Sequence, residues 1–340
     1  MNERMGHQSI RFGEPVYIRS GASVAGKKEG EGPLGPCFDE IEKDPLAGEK
    51  TWEQAESALQ HRAALRALDK AGIRNTDLRM IFAGDLLAQC TASCYNLAQL
   101  DVPVYGLFGA CSTMGEALSL ASMAVAGDFA EYAMALTSSH FASAEKEFRF
   151  PLAYGSQRPL SATWTVTGSG ACVLSKEKSG AAVTGITTGK IVDYGLKDSM
   201  NMGACMAPAA CDTICTHLQD FGRQPEEYSK IITGDLGSVG QQILFDLLEK
   251  QGYDIKRQHL DCGMLIFDDA VQDTHAGGSG CGCSAVVFAS YILPRIISGE
   301  WKRVLFVPTG ALMSKVSFAE GQTVPGIAQA VVVEHMEEKD

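Results

Sequence analysis

The stretch FGACSTMG, residues 108–115, places a cysteine between a short apolar run and a long helical pattern. VPVYGL precedes it and EALSLASMAVA follows, which predicts a strand, an elbow and a helix in that order. A cysteine at a helix N-terminus lies near unpaired backbone N–H groups and the positive end of the helix dipole, which stabilise a thiolate or bind an anion. Cys111 is therefore the first candidate for chemistry, as a nucleophile or as part of an anion site.

The chain repeats this elbow in its second half. The run from Cys111 to Ser139 is echoed without a gap by the run that starts at Cys283, and IFAGDLLAQC at 81–90 is echoed by IITGDLGSVG at 231–240. Short apolar strands alternate with helical patterns in both copies, which predicts an α/β fold with mostly parallel strands. We place the first half at 1–178, with the Cys111 elbow, and the second at 179–340, with the Cys283 elbow.

Three local patterns frame the elbows. Thr51-Trp-Glu-Gln54 is typical of a helix start, and Gly72 of its end. Pro294 falls inside the second long helical pattern and is expected to kink it. Asp85 and Asp235 occupy matching GDL turns, where we expect both to cap their own turn through local N–H groups.

Composition narrows the class of protein. The 340 residues are 45% hydrophobic and carry a formal net charge of −12, which argues against a general nucleic-acid binder. The N-terminal MNERMGHQSIRFG has no apolar core of a secretory signal, and no apolar run is long enough to span a bilayer. We interpret the eleven cysteines as reduced and mostly buried, and expect no metal site, because no four-ligand set is recognisable.

The ordered motifs resemble a known family. The GACST elbow followed by TVTGSGACVLS at 165–175 resembles the thiolase superfamily, which includes the ketosynthases. A closer resemblance is to the stage V sporulation protein AD family, a thiolase-like family of endospore-formers. Ten motifs lie in that family's order along nearly the whole chain: EGPLG, AGDLL, FGACST, TSSH, FRFPLAYG, TVTGSGA, MAPAA, TGDL, GGSGCGCSA and TGAL.

The resemblance implies a thiolase-like, duplicated α-β-α-β-α layered fold with pseudo-twofold related halves. It also implies binding of dipicolinic acid (pyridine-2,6-dicarboxylate) during its uptake into the developing spore. The implied partners are small membrane proteins of the same operon, which would hold the chain at the forespore or spore inner membrane inside the cell. Whether calcium accompanies the ligand is left open, as is a homodimer, which is common in the superfamily.

In such a fold the two elbows are expected to face each other across the pseudo-twofold axis. The helix N-termini at Cys111–Thr113 and at Cys283–Ser284 would then converge, each with about half a positive charge. The hydroxyls of Ser112, Thr113 and Ser284 would add directed donors. This arrangement predicts a pocket for a small dianion within an acidic protein.

The segment EKEFRFPLAYGSQRP, residues 145–159, supplies further candidates. An arginine, Arg149 or Arg158, could pair with a ligand carboxylate, and Tyr154 could stack on a pyridine ring. The alternative is that the arginine lies on the surface and that the neighbouring phenylalanines pack in the core. His140 in TSSH could bond a ligand carboxylate, although a buried histidine with satisfied ring nitrogens explains it equally well.

Catalysis needs more than the cysteine. Thiolases and ketosynthases use His or Asn from two second-half loops, yet ITGDLGS at 232–238 and AGGSGCGCS at 276–284 contain neither. We therefore expect no catalytic residue. An acyl-transferring enzyme with Cys111 as nucleophile, and His275 or His140 as a rearranged base, is the alternative. A third hypothesis is a scaffold with a vestigial pocket that recruits membrane proteins.

Overall fold

The computed structural model of the chain describes residues 1–148 and 157–337. The strands are β1 Glu3–Met5, β2 Ser9–Gly26, β3 Glu40–Glu42, β4 Met80–Gly84, β5 Val104–Leu107, β6 Tyr132–Ser139, β7 Trp164–Thr165, β8 Gly168–Ser175, β9 Ala181–Thr187, β10 Lys230–Thr233, β11 His259–Asp261, β12 Gly278–Ser279, β13 Arg303–Val307, β14 Thr309–Ala311, β15 Gly326–Ala328 and β16 Ala330–His335. The α-helices are α1 Lys27–Gly30, α2 Trp52–Ala71, α3 Thr91–Tyr95, α4 Thr113–Ala126, α5 Phe141–Phe148, α6 Met202–Phe221, α7 Gly237–Lys250, α8 Cys262–Ile266, α9 Asp269–Gln272, α10 Cys281–Val287, α11 Leu293–Ile297 and α12 Lys315–Ala319. A π-helical turn, Phe288–Ile292, joins α10 to α11.

One large sheet carries both copies of the repeat. Its order is β11-β10-β13-β16-β9-β2-β8-β6-β4-β5, with β1 and β3 added on β2. The first five strands of this order come from the second half of the chain and the last five from the first half. The sheet thus has the same strand arrangement on either side of the β2–β9 pair, as the sequence repeat predicts. The boundary at 178/179 itself stays a prediction.

The sheet is mixed rather than mostly parallel. The strands that lead to the elbows are parallel, because β4 pairs with β5 and β6, and β10 pairs with β11 and β13. The central strands β16, β9, β2, β8 and β6 pair antiparallel. The prediction of mostly parallel strands is therefore wrong for the centre of the sheet.

Three apolar cores separate the layers. The middle core packs α4 and α10 between the two halves of the sheet. One outer core covers the first half with α2, and the other covers the second half with α6 and its neighbour α7. Alternate residues of one strand serve different cores: Ile232 faces the middle core and Ile231 faces the outer one. Period-two alternation in a strand produces this division.

The helix signals were mostly correct. Thr51 caps α2 by accepting the Gln54 N–H at 3.3 Å, and Gly72 ends it in the left-handed conformation at φ 69°. Around Pro294 the helical path continues, but through a π-helical turn just before it, which absorbs the missing N–H. In the described part of the chain, the helices are all too short or too polar to cross a membrane.

Candidate functional site

The first elbow joins β5 to α4 through a strained turn. Ala110 has φ 50°, a left-handed conformation that costs a residue with a Cβ about 1 kcal/mol or more. The hydroxyl of Thr113 donates to the Ala110 carbonyl at 2.6 Å and accepts the Gly109 N–H at 3.1 Å. Ser112 donates to the Gly109 carbonyl at 2.8 Å. The two hydroxyls that the sequence offers as ligand donors therefore brace the turn that presents Cys111.

The second elbow rests on the end of a first-half strand. Gly280 precedes α10 with φ 107°, and a Cβ there would lie 2.6 Å from the Ser139 hydroxyl oxygen. Thr137 donates to the Cys281 carbonyl at 2.9 Å, and the Cys281 thiol donates to the Ser138 carbonyl at 3.0 Å. The helix begins at Cys281, two residues before the Cys283–Ser284 position that the sequence predicts, because the chain already turns at Gly280. The elbows meet as expected, with Cys111 and Cys281 in one small cluster.

Asp235 occupies the junction between the elbows. Its carboxylate accepts the Gly280 N–H at 2.8 Å and the Thr309 hydroxyl at 2.9 Å, and it also accepts the Cys111 thiol. The residue is fully buried, and burial raises the pKa of Asp235 to about 7. The backbone N–H group of Gly280, just before α10, is thus already bonded to a carboxyl group of the protein.

The symmetric role predicted for the two GDL aspartates holds only for Asp85. Asp85 accepts the N–H groups of Leu87 and Ser93 within its own loop. In the second half the corresponding cap is Asp261, at the end of the neighbouring strand β11. Its carboxylate accepts the Leu236 N–H at 2.9 Å. Because Asp261 caps the second loop, Asp235 is free to bond across to the opposite elbow.

Of the two possibilities raised by the Cys111 elbow, a nucleophilic thiolate is disfavoured by the surroundings of the thiol. Burial, together with the negative charge of Asp235, raises the pKa of the Cys111 thiol well above its usual range. A neutral thiol is a much weaker nucleophile than a thiolate. Burial of the thiol and its hydrogen bond to the Asp235 carboxylate therefore act against the thiolate at the start of α4.

A narrow cleft of about 20 Å³ reaches Cys111. It passes side chains of the first half, such as Leu86 and Glu145, and side chains of the second, such as Met200 and Met202. Its volume suits a single water molecule, which needs about 15 Å³. Of the elbow residues predicted to bind a ligand, Cys111 lines this cleft. Cys283 and Ser284 are fully buried in α10 and do not line it.

His140 lies at a different opening. It lines a cavity of about 410 Å³, in which its ring lies 5.5 Å from that of Trp52. Nε2 donates to the Pro45 carbonyl at 2.8 Å, and Nδ1 accepts the Ala142 N–H at 3.2 Å. Burial lowers the pKa of His140, so the ring is neutral and both nitrogens are engaged, as in the structural alternative.

Four residues proposed from the sequence remain. Arg149 and Tyr154 lie outside the described residues. Arg158 pairs with Asp273 at 3.2 Å, and His275 bonds the Pro159 carbonyl at 2.9 Å. Neither Arg158 nor His275 lines the Cys111 cleft, so their proposed roles there stay predictions.

The cysteines are mostly core residues of the structure. All eleven cysteines are free thiols, and eight of them are buried, as their interpretation as reduced core residues predicts. The sulfur atoms of Cys211 and Cys215 lie 4.0 Å apart on α6. Within 1–148 and 157–337, no group of three His, Cys, Asp or Glu side chains is arranged to hold a metal ion.

Sequence reasoning missed the contacts that cross between segments. The Asp235–Cys111 bond, the cap from Asp261 and the buried Glu145 in the cleft wall have no local motif. One signal was present for Asp235. Ser93, which donates to Asp85, lies eight residues after it, whereas the residue eight positions after Asp235 is Ile243. That difference could have indicated that the two turns are built differently.

The duplicated sheet and the paired elbows define a thiolase-like protein. Solved structures of this fold extend over nearly the whole chain. A variant of Xanthomonas campestris OleA is 15% identical at a TM-score of 0.61, covering 97% of this chain and 100% of its own. A tetronic acid condensing enzyme is 18% identical at a TM-score of 0.58, covering 94% of this chain and 99% of its own. The 3-oxoacyl-acyl-carrier-protein synthase III of Aquifex aeolicus is 14% identical at a TM-score of 0.54, covering 94% of this chain and 100% of its own. These likenesses show the fold alone.

The chain belongs to the stage V sporulation protein AD family. The model of that family matches residues 6–334. The stage V sporulation protein AD of Bacillus subtilis (strain 168) is 44% identical over 329 residues, which is 97% of each chain. The family resemblance seen in the ordered motifs is confirmed, and with it the thiolase-like fold.

Proposed function

We propose that this sporulation protein binds dipicolinic acid for its uptake into the developing spore and does not transform it. The observation that carries the proposal is the state of Cys111. Its thiol is buried and bonded to the Asp235 carboxylate, and its pKa is raised rather than lowered. An elbow of this kind keeps the architecture of a condensing enzyme but holds its cysteine as a neutral thiol, which favours binding over acyl transfer.

Membership of the sporulation family supports the biological setting. In this proposal the chain acts at the forespore or spore inner membrane, where small membrane proteins of the same operon hold it in place. The proposal includes calcium that enters with the dicarboxylate and is coordinated by it. A homodimer is compatible with it.

Ligand-dependent unfolding tests the proposal. Dipicolinate at about 100 times its Kd should raise the free energy of unfolding by about 2.7 kcal/mol, because it binds the folded chain alone. Benzoate, which has the ring and a single carboxylate, is the matched control and should stabilise much less. Unchanged unfolding with dipicolinate, with and without calcium, would remove the binding function.

Acyl transfer is the second candidate, because the structural neighbours include condensing enzymes. Incubation with short acyl-CoA thioesters followed by intact-mass measurement separates the two candidates. The binding function predicts no acyl adduct on Cys111. An adduct that disappears in Cys111→Ser would establish the enzyme instead.

A further inference from the structure

Helix α6 carries two cysteines that lie one turn apart. Cys211 and Cys215 occupy positions i and i+4, which share one face of a helix. Their sulfur atoms are 4.0 Å apart, and the two thiols share a hydrogen bond. The pair lines neither the Cys111 cleft nor the larger cavity, so the proposed function does not use it.

The pair keeps some contact with solvent. Cys211 is 9% exposed and Cys215 is 8% exposed, whereas Cys262 and Cys283 are 0% exposed. Both members of the pair belong to the outer apolar core of the second half, which α6 and α7 cover. A small ion can therefore reach two neighbouring sulfur atoms in an apolar setting without unfolding of the chain.

The helix opposes a disulfide between these two thiols. A disulfide needs an S–S distance of about 2.05 Å and Cβ atoms about 3.5–4.5 Å apart. Side chains four residues apart on a helix have Cβ atoms about 5–6 Å apart. Oxidation of the pair would therefore distort α6, and the two sulfurs are better placed to bind one atom between them.

The distance between the sulfurs fits a shared metal ion. The bond from Zn²⁺, a first-row metal ion, to a thiolate is about 2.3 Å long. With bonds of this length, two sulfurs on one ion lie about 3.8 Å apart at a tetrahedral angle and about 4.6 Å apart in a linear arrangement. The 4.0 Å between Cys211 and Cys215 falls within this range, so both sulfurs can bind one ion without a shift of the helix.

The donor set selects the kind of ion. Across residues 1–148 and 157–337, no third His, Cys, Asp or Glu side chain completes a metal-binding group with the pair. The adjacent carboxylate, Asp212, pairs with Lys190 at 3.0 Å. Structural Zn²⁺ takes four ligands and Ca²⁺ and Mg²⁺ take oxygen ligands, whereas soft thiolates select Cu(I). Two sulfurs alone therefore fit a monovalent soft ion, for which two ligands are sufficient and a four-ligand set is not required.

A second cysteine pair with the same spacing lacks this geometry. Cys90 precedes α3 in the left-handed conformation at φ 53°, so regular helical spacing does not extend from Cys90 to Cys94. The Cys90 thiol donates to the Leu107 carbonyl at 3.1 Å, and the Cys94 thiol lies 4.0 Å from the Gln89 carbonyl. The sulfurs of this second pair have separate partners, which makes Cys94 a matched control.

We propose that Cys211 and Cys215 form a two-thiolate site for one monovalent soft metal ion such as Cu(I). On binding, two S–H bonds break, two sulfur–metal bonds form and two protons leave to solvent. The oxidation states of the ion and of the sulfurs do not change, so no oxidant or reductant takes part. The inference is independent of dicarboxylate binding, because the site consists of two thiols of α6 alone.

Anaerobic titration with Cu(I) in the presence of a coloured Cu(I) chelator tests the site. The wild-type chain should withdraw one more equivalent of Cu(I) from the chelator than Cys211→Ser or Cys215→Ser does. Cys94→Ser, which removes an exposed thiol of the second pair, should withdraw as much as the wild type. Urea unfolding of each variant identifies those that fold.

The outcomes decide for or against the site. Equal uptake by the wild type and a folded Cys211→Ser or Cys215→Ser chain, or no uptake by the wild type, overturns it. Loss of the equivalent in Cys94→Ser alone assigns the ion to the second pair and also overturns it. X-ray absorption at the copper edge of the wild type, loaded with one equivalent, needs no variant. Two sulfur neighbours per copper support the site, and nitrogen or oxygen neighbours overturn it.

Discussion

The two GDL turns of the chain use their aspartates differently, and this difference sets the state of Cys111. Asp85 bonds within its own loop, whereas Asp235 bonds the thiol across the junction. We predict that Asp235→Asn lowers the pKa of the Cys111 thiol, because it removes the adjacent negative charge while the thiol stays buried. Thiolate absorbance during a pH titration, with Cys111→Ser as the reference, measures this without requiring a reagent to reach the thiol.

Asp85→Asn is the matched control for that titration, because it is the corresponding residue of the other copy and does not bond Cys111. It should leave the Cys111 midpoint unchanged. Equal midpoints in wild type and folded Asp235→Asn would contradict the assigned role of Asp235.

A second buried carboxylate predicts a dependence of stability on pH. Glu56 is fully buried, accepts the hydroxyls of Ser138 at 2.8 Å and Ser143 at 2.6 Å, and lies near Asp85. Burial, and then the charge of Asp85, raises the pKa of Glu56 from 4.5 to about 8. The folded chain keeps a proton that the unfolded chain has lost, so this group lowers the unfolding free energy as pH rises from 4.5 to 8.

Glu56→Gln mimics the protonated acid and should remove that contribution. As the pH rises from 4.5 to 8, the unfolding free energy of the variant should gain roughly a few kcal/mol relative to that of the wild type. Urea unfolding at several pH values measures it. Glu249→Gln, at an exposed glutamate near the end of α7, is the control, and parallel profiles for Glu56→Gln and wild type would refute the buried-acid account.

At the scale of elements, close backbone contacts hold the second elbow in place. A Cβ on Gly170 in β8 would lie 2.4 Å from the carbonyl group of Ala285 in α10. Gly170→Ala should therefore push α10 from the sheet and lower the unfolding free energy by about 1–3 kcal/mol, as overpacking does. Denaturant unfolding measures the loss.

Gly180→Ala serves as the comparison, since its Cβ would come no closer than 3.0 Å, to a methyl group of Ile297. That variant should change stability by far less. A Gly170→Ala chain as stable as the wild type would mean that α10 adapts freely, and that the elbow is not fixed by this contact.

Local sequence signals predicted elements well where neighbouring residues decide the structure. The Thr51 cap and the Gly72 stop of α2 are correct because the cap and its donor lie three residues apart. Apolar runs at β4, β6 and β10 are correct because strands buried on both faces need continuous apolar side chains. The start of α10 was predicted two residues late, because the turn at Gly280 depends on the strand end of the other half.

At the scale of the whole molecule, the internal repeat predicted the arrangement of the sheet but not the site. The echo of Cys111 by Cys283 led to paired elbows, which the structure brings together at Cys111 and Cys281. It could not reveal that Asp235 fills their junction, since that bond joins residues 124 positions apart in sequence. The large cavity was missed for the same reason: its wall combines side chains from 26–31, 42–59 and 140–167.

Calorimetric titration of the purified chain with dipicolinate tests the central claim most directly. Benzoate controls for the second carboxylate, and calcium alone controls for the ion. The account predicts saturable heat with dipicolinate at a single site, weak or no heat with benzoate, and recovery of the ligand unchanged. Absence of heat with dipicolinate, both with and without calcium, would contradict the claim that this thiolase-like chain is a binding protein for the aromatic dicarboxylate.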